Sequence, residues 1–398
     1  MRKVVIVAEW IRPIGGVSTS LLDLLRHVDY SRDDLTLVLL NSSGEGEDMV
    51  PEHVKLISFR DLVPYAGLKR AIPTLLRQGR WGAAARNVAN WATARISGDV
   101  GKRMRYLASR VEALPGEYDV AVGYAMLDSF SNQYVADRVV AGKRIMWCHT
   151  HPALYGAHGL SGMERTYERF DVINCVSASG MEALVERFPT LKSKVRVRHN
   201  IIDAERIRRL AQIEVPARSG SFTLCTVARL SYEKGIDLLV GAAAHLKRDG
   251  IRFTWWVIGP DYDLDYTAAV RSSIREQGLD AEVKLLGPQA NPYGYMAACD
   301  IYVQTSRIEG RCSTIQEARA LGKPIITTSF EAALEQISHR VTGSVVAISA
   351  EALYQEIISL MNNPTVLSQY RAAALDVVAT PRVNASEELL DVELGVIA

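Results

Sequence analysis

The stretch "SRIEGRCSTIQEARALGKPIITTS", residues 306–329, places two carboxylates, Glu309 and Glu317, eight positions apart, with a glycine, an arginine and two hydroxyl side chains between them. Acids of this kind accept hydrogen bonds from hydroxyls, whereas Arg311, Ser313 and Thr314 donate them to an anion. The pattern therefore asks for a ligand with both kinds of group.

The elements around the stretch decide what it can reach. "DIYVQTS" (300–306) reads as a β-strand, so Glu309 and Gly310 fall in the loop at its carboxyl end, where open α/β sheets bind ligands. Thr314 and Glu317 fit a Thr-x-x-Glu capping box, and Gly322 followed by Pro324 stops the helix before "PIITTS" (324–329). On that reading Glu317 only caps its own helix. Glu309 has no such account, because an acid ahead of a helix start has no evident packing role. Free N–H groups at 313–316 form an anion site, and Glu309 would repel the anion unless it takes hydroxyls of the same ligand. A molecule with phosphate and hydroxyls together is a sugar nucleotide.

At 398 residues the chain is long enough for two medium-sized domains, and 48% apolar residues supply two cores. The net charge of +1 gives no general pull toward nucleic acid or membrane. Five scattered cysteines without a CxxC pair point to reduced thiols and a cytoplasmic setting, with four of them in or beside apolar runs. "MRKVVIVAEW" meets Glu9 too early for a signal-peptide core, and no run of eighteen predominantly apolar residues suggests a membrane span.

Short β-branched runs alternate with helical-length segments: 3–8, 35–40, 54–59, 118–124, 143–149, 171–177 and 195–200. Runs apolar on both faces and separated by helices make a buried parallel sheet. After the polar stretch "EVPARSGS" (214–221) the pattern restarts with 222–229, 253–259, 282–287, 300–306, 324–329 and 343–349. The expected fold class is α/β: two Rossmann-like, doubly wound parallel-sheet domains facing across a cleft. Their expected spans are 1–205 and 206–375, with a carboxy-terminal segment, 376–398, packing back on the first domain.

Further candidates lie at the ends of these runs. Arg229 and Lys234 follow the first strand of the second domain, where two cations can hold a diphosphate without a metal; the alternative is a solvated surface pair. Gly15 and Gly16 follow the first strand of the first domain and let the main chain approach a ligand, or simply make a tight turn. His149 with His151 is too small a set for a metal, and "DYDLDY" (261–266) reads as a solvated loop rather than a metal motif.

Several of these stretches resemble the retaining GT-B glycosyltransferases of family four, whose signature is Glu, seven residues, Glu. "CTVARLSYEKGIDLLVGA" (225–242), "VIGPD" (257–261), "GPQANPYGYMAACDIYVQTS" (287–306) and "WIRPIGGVSTSLLDLL" (10–25) extend the match over about residues 1–350, most strongly in the second half. Glu-Gly-Arg, where many members have Glu-Gly-Phe-Gly, is similar to the branch that builds capsular and other surface polysaccharides. The resemblance implies a UDP- or GDP-sugar donor, retention of anomeric configuration and no metal or other cofactor. It gives Glu317 the ribose diol, Glu309 the hydroxyls of the transferred sugar, and Leu286 with its neighbours the base. His149 would stand beside the donor sugar at the reaction centre, while Ser313 and Thr314 complete a phosphate cradle and Arg311 joins them as a substrate-binding residue. No acid of the first domain stands out as a nucleophile, which suits front-face displacement.

Two rivals remain: a nucleotide-sugar epimerase of the same architecture, and a non-catalytic, partner-binding subunit. A dehydrogenase is disfavoured because no GxGxxG follows either domain's first strand. Residues 68–110 hold ten Lys or Arg against the single acid Asp99, with Trp81, Trp91 and Tyr106 interleaved. This suits either a solvated helical pair or peripheral docking on an anionic membrane surface, where a glycan or polyprenyl-diphosphate-linked acceptor would be met.

Overall fold

Each of the thirteen apolar runs becomes a strand in the computed structural model, which describes residues 1–59, 76, 77, 79–82, 84, 85, 88, 89, 98–215 and 222–378. The first seven are β1 (Arg2–Ala8), β2 (Asp33–Leu39), β3 (Lys55–Ser58), β4 (Glu117–Ala125), β5 (Val140–Cys148), β6 (Val172–Cys175) and β7 (Val195–Val197). They form one sheet in the order β3-β2-β1-β4-β5-β6-β7. The remaining six are β8 (Phe222–Val227), β9 (Phe253–Ile258), β10 (Val283–Gly287), β11 (Ile301–Gln304), β12 (Ile325–Thr328) and β13 (Ser344–Val346), ordered β10-β9-β8-β11-β12-β13. Every strand pair in both sheets is parallel.

Burial on both faces explains the continuous apolar runs. In β1, Val5 and Val7 enter one core while Val4, Ile6 and Ala8 enter the core on the opposite face. β11 does the same, sending Ile301 and Val303 to one side and Tyr302 to the other. All five cysteines are free thiols inside the protein. Among the described residues no helix is long and apolar enough to cross a membrane.

The chain divides into two compact units between Ile201 and Ile202. The expected packing of 376–398 falls largely outside the described residues, as do 68–75, 78, 83, 86, 87 and 90–97 of the basic segment; its described end includes the helix Val100–Ala108, whose Met104 and Ala108 enter the first unit's core.

Several strands end sooner than their apolar runs. β11 stops at Gln304 rather than 306, because Thr305 and Ser306 leave the ladder and turn their hydroxyls elsewhere: Thr305 donates to the Lys234 carbonyl at 2.8 Å and Ser306 to Glu309 Oε1 at 2.7 Å. In each sheet the chain winds outward one way, then returns to lay a strand beside its starting one. The resulting switch points lie between β1 and β4 and between β8 and β11.

Candidate active site

In the second unit, the loops after β8 and β11 flank the switch point, and the structure brings their charges together. Lys234 ends a short 3-10 turn, Tyr232–Lys234, and its Nζ donates to Glu309 Oε1 at 2.6 Å. Neither partner is well solvated, their side chains being 18% and 9% exposed. The same carboxylate oxygen takes the Ser306 hydroxyl, which accepts from Gln304 Nε2 at 2.8 Å. Gln304 Oε1 in turn accepts from the Tyr302 hydroxyl at 2.7 Å. A buried polar chain from Tyr302 to Glu309 thus fixes the carboxylate without using all its acceptor capacity.

Arg229 belongs to the same edge. Its Nη2 donates to Glu233 Oε1 at 2.9 Å, and its guanidinium lies 4.2 Å from the centre of the Tyr262 ring. Both cations are oriented, each held against a carboxylate, Lys234 in a largely buried pair and Arg229 in a pair nearer the surface, its side chain 39% exposed.

The helix after β11 runs Ser313–Ala320 with Cys312 as N-cap and no side-chain capping bond. This corrects the capping-box expectation. The helix starts two residues early, so Thr314 lies within the first turn, and its hydroxyl donates to Gln304 Oε1 at 3.1 Å instead of capping. Glu317 is buried, 5% exposed, within the helix. At the other end the expectation holds: Gly322 has φ +63°, and the N–H groups of Gly322 and Lys323 bond back to Arg319 O (2.8 Å) and Ala318 O (3.0 Å). Ser313 sits at the uncapped start, whose first-turn N–H groups have no partner within the helix. Burial pushes the Arg311 guanidinium down to about 10, and its Nη1 is buried without a hydrogen-bond partner. The Leu286 carbonyl, beside a bulge in β10, accepts from Gln289 Nε2 at 3.0 Å.

The first unit presents its candidates differently. Gly15 is the N-cap of the helix Gly16–Arg26 with φ +151°, and a Cβ added there would meet nothing within 4 Å, leaving that face of the backbone open. His149 follows β5. Its ring packs 4.4 Å from Tyr124 and 6.2 Å from Trp147, and Nε2 is buried without a hydrogen-bond partner. Burial lowers its pKa to about 3, so the imidazole is neutral at ordinary pH. His151 Nδ1 accepts from the Ala153 N–H and caps a turn at Pro152–Tyr155.

Two of the three acids of "DYDLDY" have structural partners. Asp263 caps the helix Leu264–Glu276 and Asp261 pairs with Arg271 at 3.2 Å. Among the described residues, no group of three or more His, Cys, Asp or Glu could hold a metal.

Two features escaped the sequence reading. Glu9, after β1, accepts from the Phe130 N–H at 2.8 Å and from the Ser129 hydroxyl, and burial raises its pKa despite these bonds. Its place in "VAEW" at a strand end was the available signal. Arg307 binds Asp237 through two nitrogens, at 2.8 and 2.6 Å, across 70 residues of chain, a partnership that no local pattern announces.

With this geometry in view, comparison with known proteins is informative. Residues 208–376 match the family described as glycosyl transferases group 1. Over 210 residues, 52% of this chain, the sequence is 30% identical to the N-acetylgalactosamine-N,N'-diacetylbacillosaminyl-diphospho-undecaprenol 4-alpha-N-acetylgalactosaminyltransferase of Campylobacter jejuni, covering 55% of that enzyme. It is 28% identical over 173 residues to the amylovoran biosynthesis glycosyltransferase AmsK of Erwinia amylovora, covering 42% of this chain and 40% of that one. The chain thus spans about half the length of the curated relatives it matches. In structure it is similar to Anabaena HepE bound to UDP and glucose (TM-score 0.68, 18% identity, 98% and 95% of the two chains). It is also similar to sucrose-phosphate synthase of Thermosynechococcus elongatus (TM-score 0.68, 15% identity, 95% and 94%). Residues 208–376 thus match the glycosyl transferases group 1 family, and the two parallel-sheet units have the GT-B fold of these solved structures.

Proposed function

We propose that this chain is a retaining, metal-independent hexosyltransferase of surface polysaccharide synthesis, moving a sugar from a UDP- or GDP-sugar to a glycan or polyprenyl-diphosphate-linked acceptor. The observation that carries the reading is the Lys234–Glu309 pair, 2.6 Å apart at the β8/β11 switch point. It sets a cation for a diphosphate beside an acceptor for sugar hydroxyls. The relatives support the same class: one is named for a diphospho-undecaprenol-linked acceptor, another for amylovoran biosynthesis, and HepE was solved with UDP-glucose.

As the bond from the anomeric carbon to the diphosphate lengthens, negative charge grows on the leaving oxygen. Arg229, Lys234 and the N–H groups at the start of Ser313–Ala320 stabilise that charge, with Ser313 and Thr314 completing the cradle. The acceptor hydroxyl attacks from the same face and passes its proton to the departing phosphate, so the step uses no protein nucleophile. Glu309 takes the sugar hydroxyls, Glu317 the ribose diol and the backbone around Leu286 the base. Arg311 contributes a desolvated cation. Within the first unit, the same reading gives the open backbone of Gly15 and Gly16 to a phosphate and the neutral imidazole of His149 to a sugar.

The decisive experiment incubates purified protein with a panel of UDP- and GDP-sugars, reading thermal shift and nucleotide release, then assigns the product's anomeric configuration by NMR. Binding without release or transfer would overturn the enzymatic reading in favour of a partner-binding subunit. An inverted product would overturn retention. The reading also places the enzyme in the cytoplasm, docked peripherally through 68–110. Co-sedimentation with anionic liposomes should then fall when Lys69, Arg70, Arg77, Arg80 and Arg86 become Gln, each charge being worth about 1 kcal/mol; equal sedimentation would refute docking.

A further inference from the structure

The turn that carries Lys234 makes its own 3-10 bonds, Lys234 N–H to Ser231 O at 3.0 Å and Gly235 N–H to Tyr232 O at 3.1 Å, and three further bonds tie it to a neighbouring loop. Arg307 Nη1 donates to the Tyr232 carbonyl at 2.8 Å, the Arg307 N–H to the Glu233 carbonyl at 2.7 Å, and the Thr305 hydroxyl to the Lys234 carbonyl at 2.8 Å. All three carbonyls of the turn are thus pinned by the loop that leads to Glu309. The next residue, Gly235, has φ +64°, and a Cβ there would lie 2.1 Å from the Thr305 carbonyl oxygen, so the two loops meet backbone to backbone.

Arg307 is itself fixed on three sides. Asp237 grips the guanidinium with both oxygens, the Tyr266 hydroxyl donates to Asp237 at 2.6 Å, and the Tyr232 ring lies 4.1 Å from the guanidinium carbon. A planar fork is required, since one nitrogen binds Asp237 and the Tyr232 carbonyl while the other completes the two-oxygen grip; a lysine ammonium cannot reproduce that arrangement.

We propose that Arg307 is a positioning residue for Lys234: the Asp237–Arg307 fork sets the Tyr232–Lys234 turn so that the ammonium meets Glu309 and a nucleoside diphosphate in one fixed place. The inference rests on the donor reading above and adds to it a residue that touches neither sugar nor phosphate. A lysine has four rotatable bonds, and an unheld turn would lose entropy each time it clamped a ligand; the fork removes that cost beforehand.

The test is a double-mutant cycle on the full chain, with UDP and GDP as probes in calorimetry and the best donor from the panel in turnover assays. Arg307→Ala should weaken nucleotide binding roughly 10- to 100-fold, as expected of a misplacement of about 1 Å. In a Lys234→Ala background the same change should cost less than about threefold, because the group it positions is gone. Arg307→Lys, the gentler variant, should not rescue binding even where its urea midpoint equals wild type. Additive losses in the cycle, or full rescue by lysine, would overturn the positioning role while leaving the donor reading intact. Failure of the wild type to bind either nucleotide would overturn both.

Discussion

At the carboxyl edge of the first sheet, burial favours the uncharged forms of Glu9 and His149; at the edge of the second, Lys234 pairs with Glu309 and Arg307 with Asp237. The two solutions suit different tasks. A desolvated neutral imidazole can lie beside a sugar without perturbing charge, whereas a paired cation can transfer its attraction to an incoming diphosphate. The difference also explains where the second edge stores its precision: its charges lock backbone turns, as Arg307 does, while the first edge relies on packing against Tyr124 and Trp147.

The comparison breaks most easily at Glu309. Glu309→Gln should reduce turnover about 100-fold or more while keeping the fold and much of the nucleotide affinity, provided the carboxylate works chiefly in the transition state. Steady-state assays beside nucleotide calorimetry check this, and wild-type turnover would remove Glu309 from the site.

The opposed burial effects at the first edge sharpen it. His149 has a folded-state pKa of about 3 against an ordinary value near 6.5, so between those limits the unfolded chain binds the extra proton. Stability should therefore fall as pH drops from 6.5 toward 3, by up to about tenfold in the unfolding constant per pH unit from this group alone. His149→Phe should flatten that slope in urea titrations. Glu9 has the opposite sign: its raised pKa gives stability below its ordinary value that is lost as pH climbs through the folded-state value, and Glu9→Gln should abolish that loss. Unchanged slopes in both variants would mean the first edge is better solvated than its burial indicates.

A smaller effect is expected at Glu317. Because no side chain caps Ser313–Ala320, Glu317→Gln should weaken nucleotide binding about tenfold, through lost bonds to the ribose diol, with no loss of a cap. A large drop in thermal stability with unaltered binding would make the residue structural. The smallest effect belongs to chelation. If the paired cations of the second edge are the diphosphate clamp, EDTA should change the rate by less than about twofold. Abolition by EDTA with rescue by Mg²⁺ or Mn²⁺ would show that a metal takes that role.

Much of the architecture was legible because parallel strands buried on both faces must be apolar throughout, and β1 to β13 each announce themselves as such runs. Strand ends were less legible, since Thr305 and Ser306 are as compatible with a strand as with the hydroxyl bonds they make. The capping box at Thr314 and Glu317 misled for a related reason: the pattern is local, but Gln304, ten residues earlier, competes for the Thr314 hydroxyl and is placed there only by the sheet.

The order of residues by itself determined the two parallel sheets and the positions of Arg229, Lys234 and Glu309 in loops at strand ends. Tertiary structure alone decided which charges pair. Lys234 lies 75 residues from Glu309, and Arg307 lies 70 from Asp237. Sequence spacing carries no signal over such separations, because the sheet order β9-β8-β11, and not chain proximity, sets those loops side by side. The same physics set the neutrality of His149, since desolvation is a property of everything packed around a group and not of the group's neighbours in the chain.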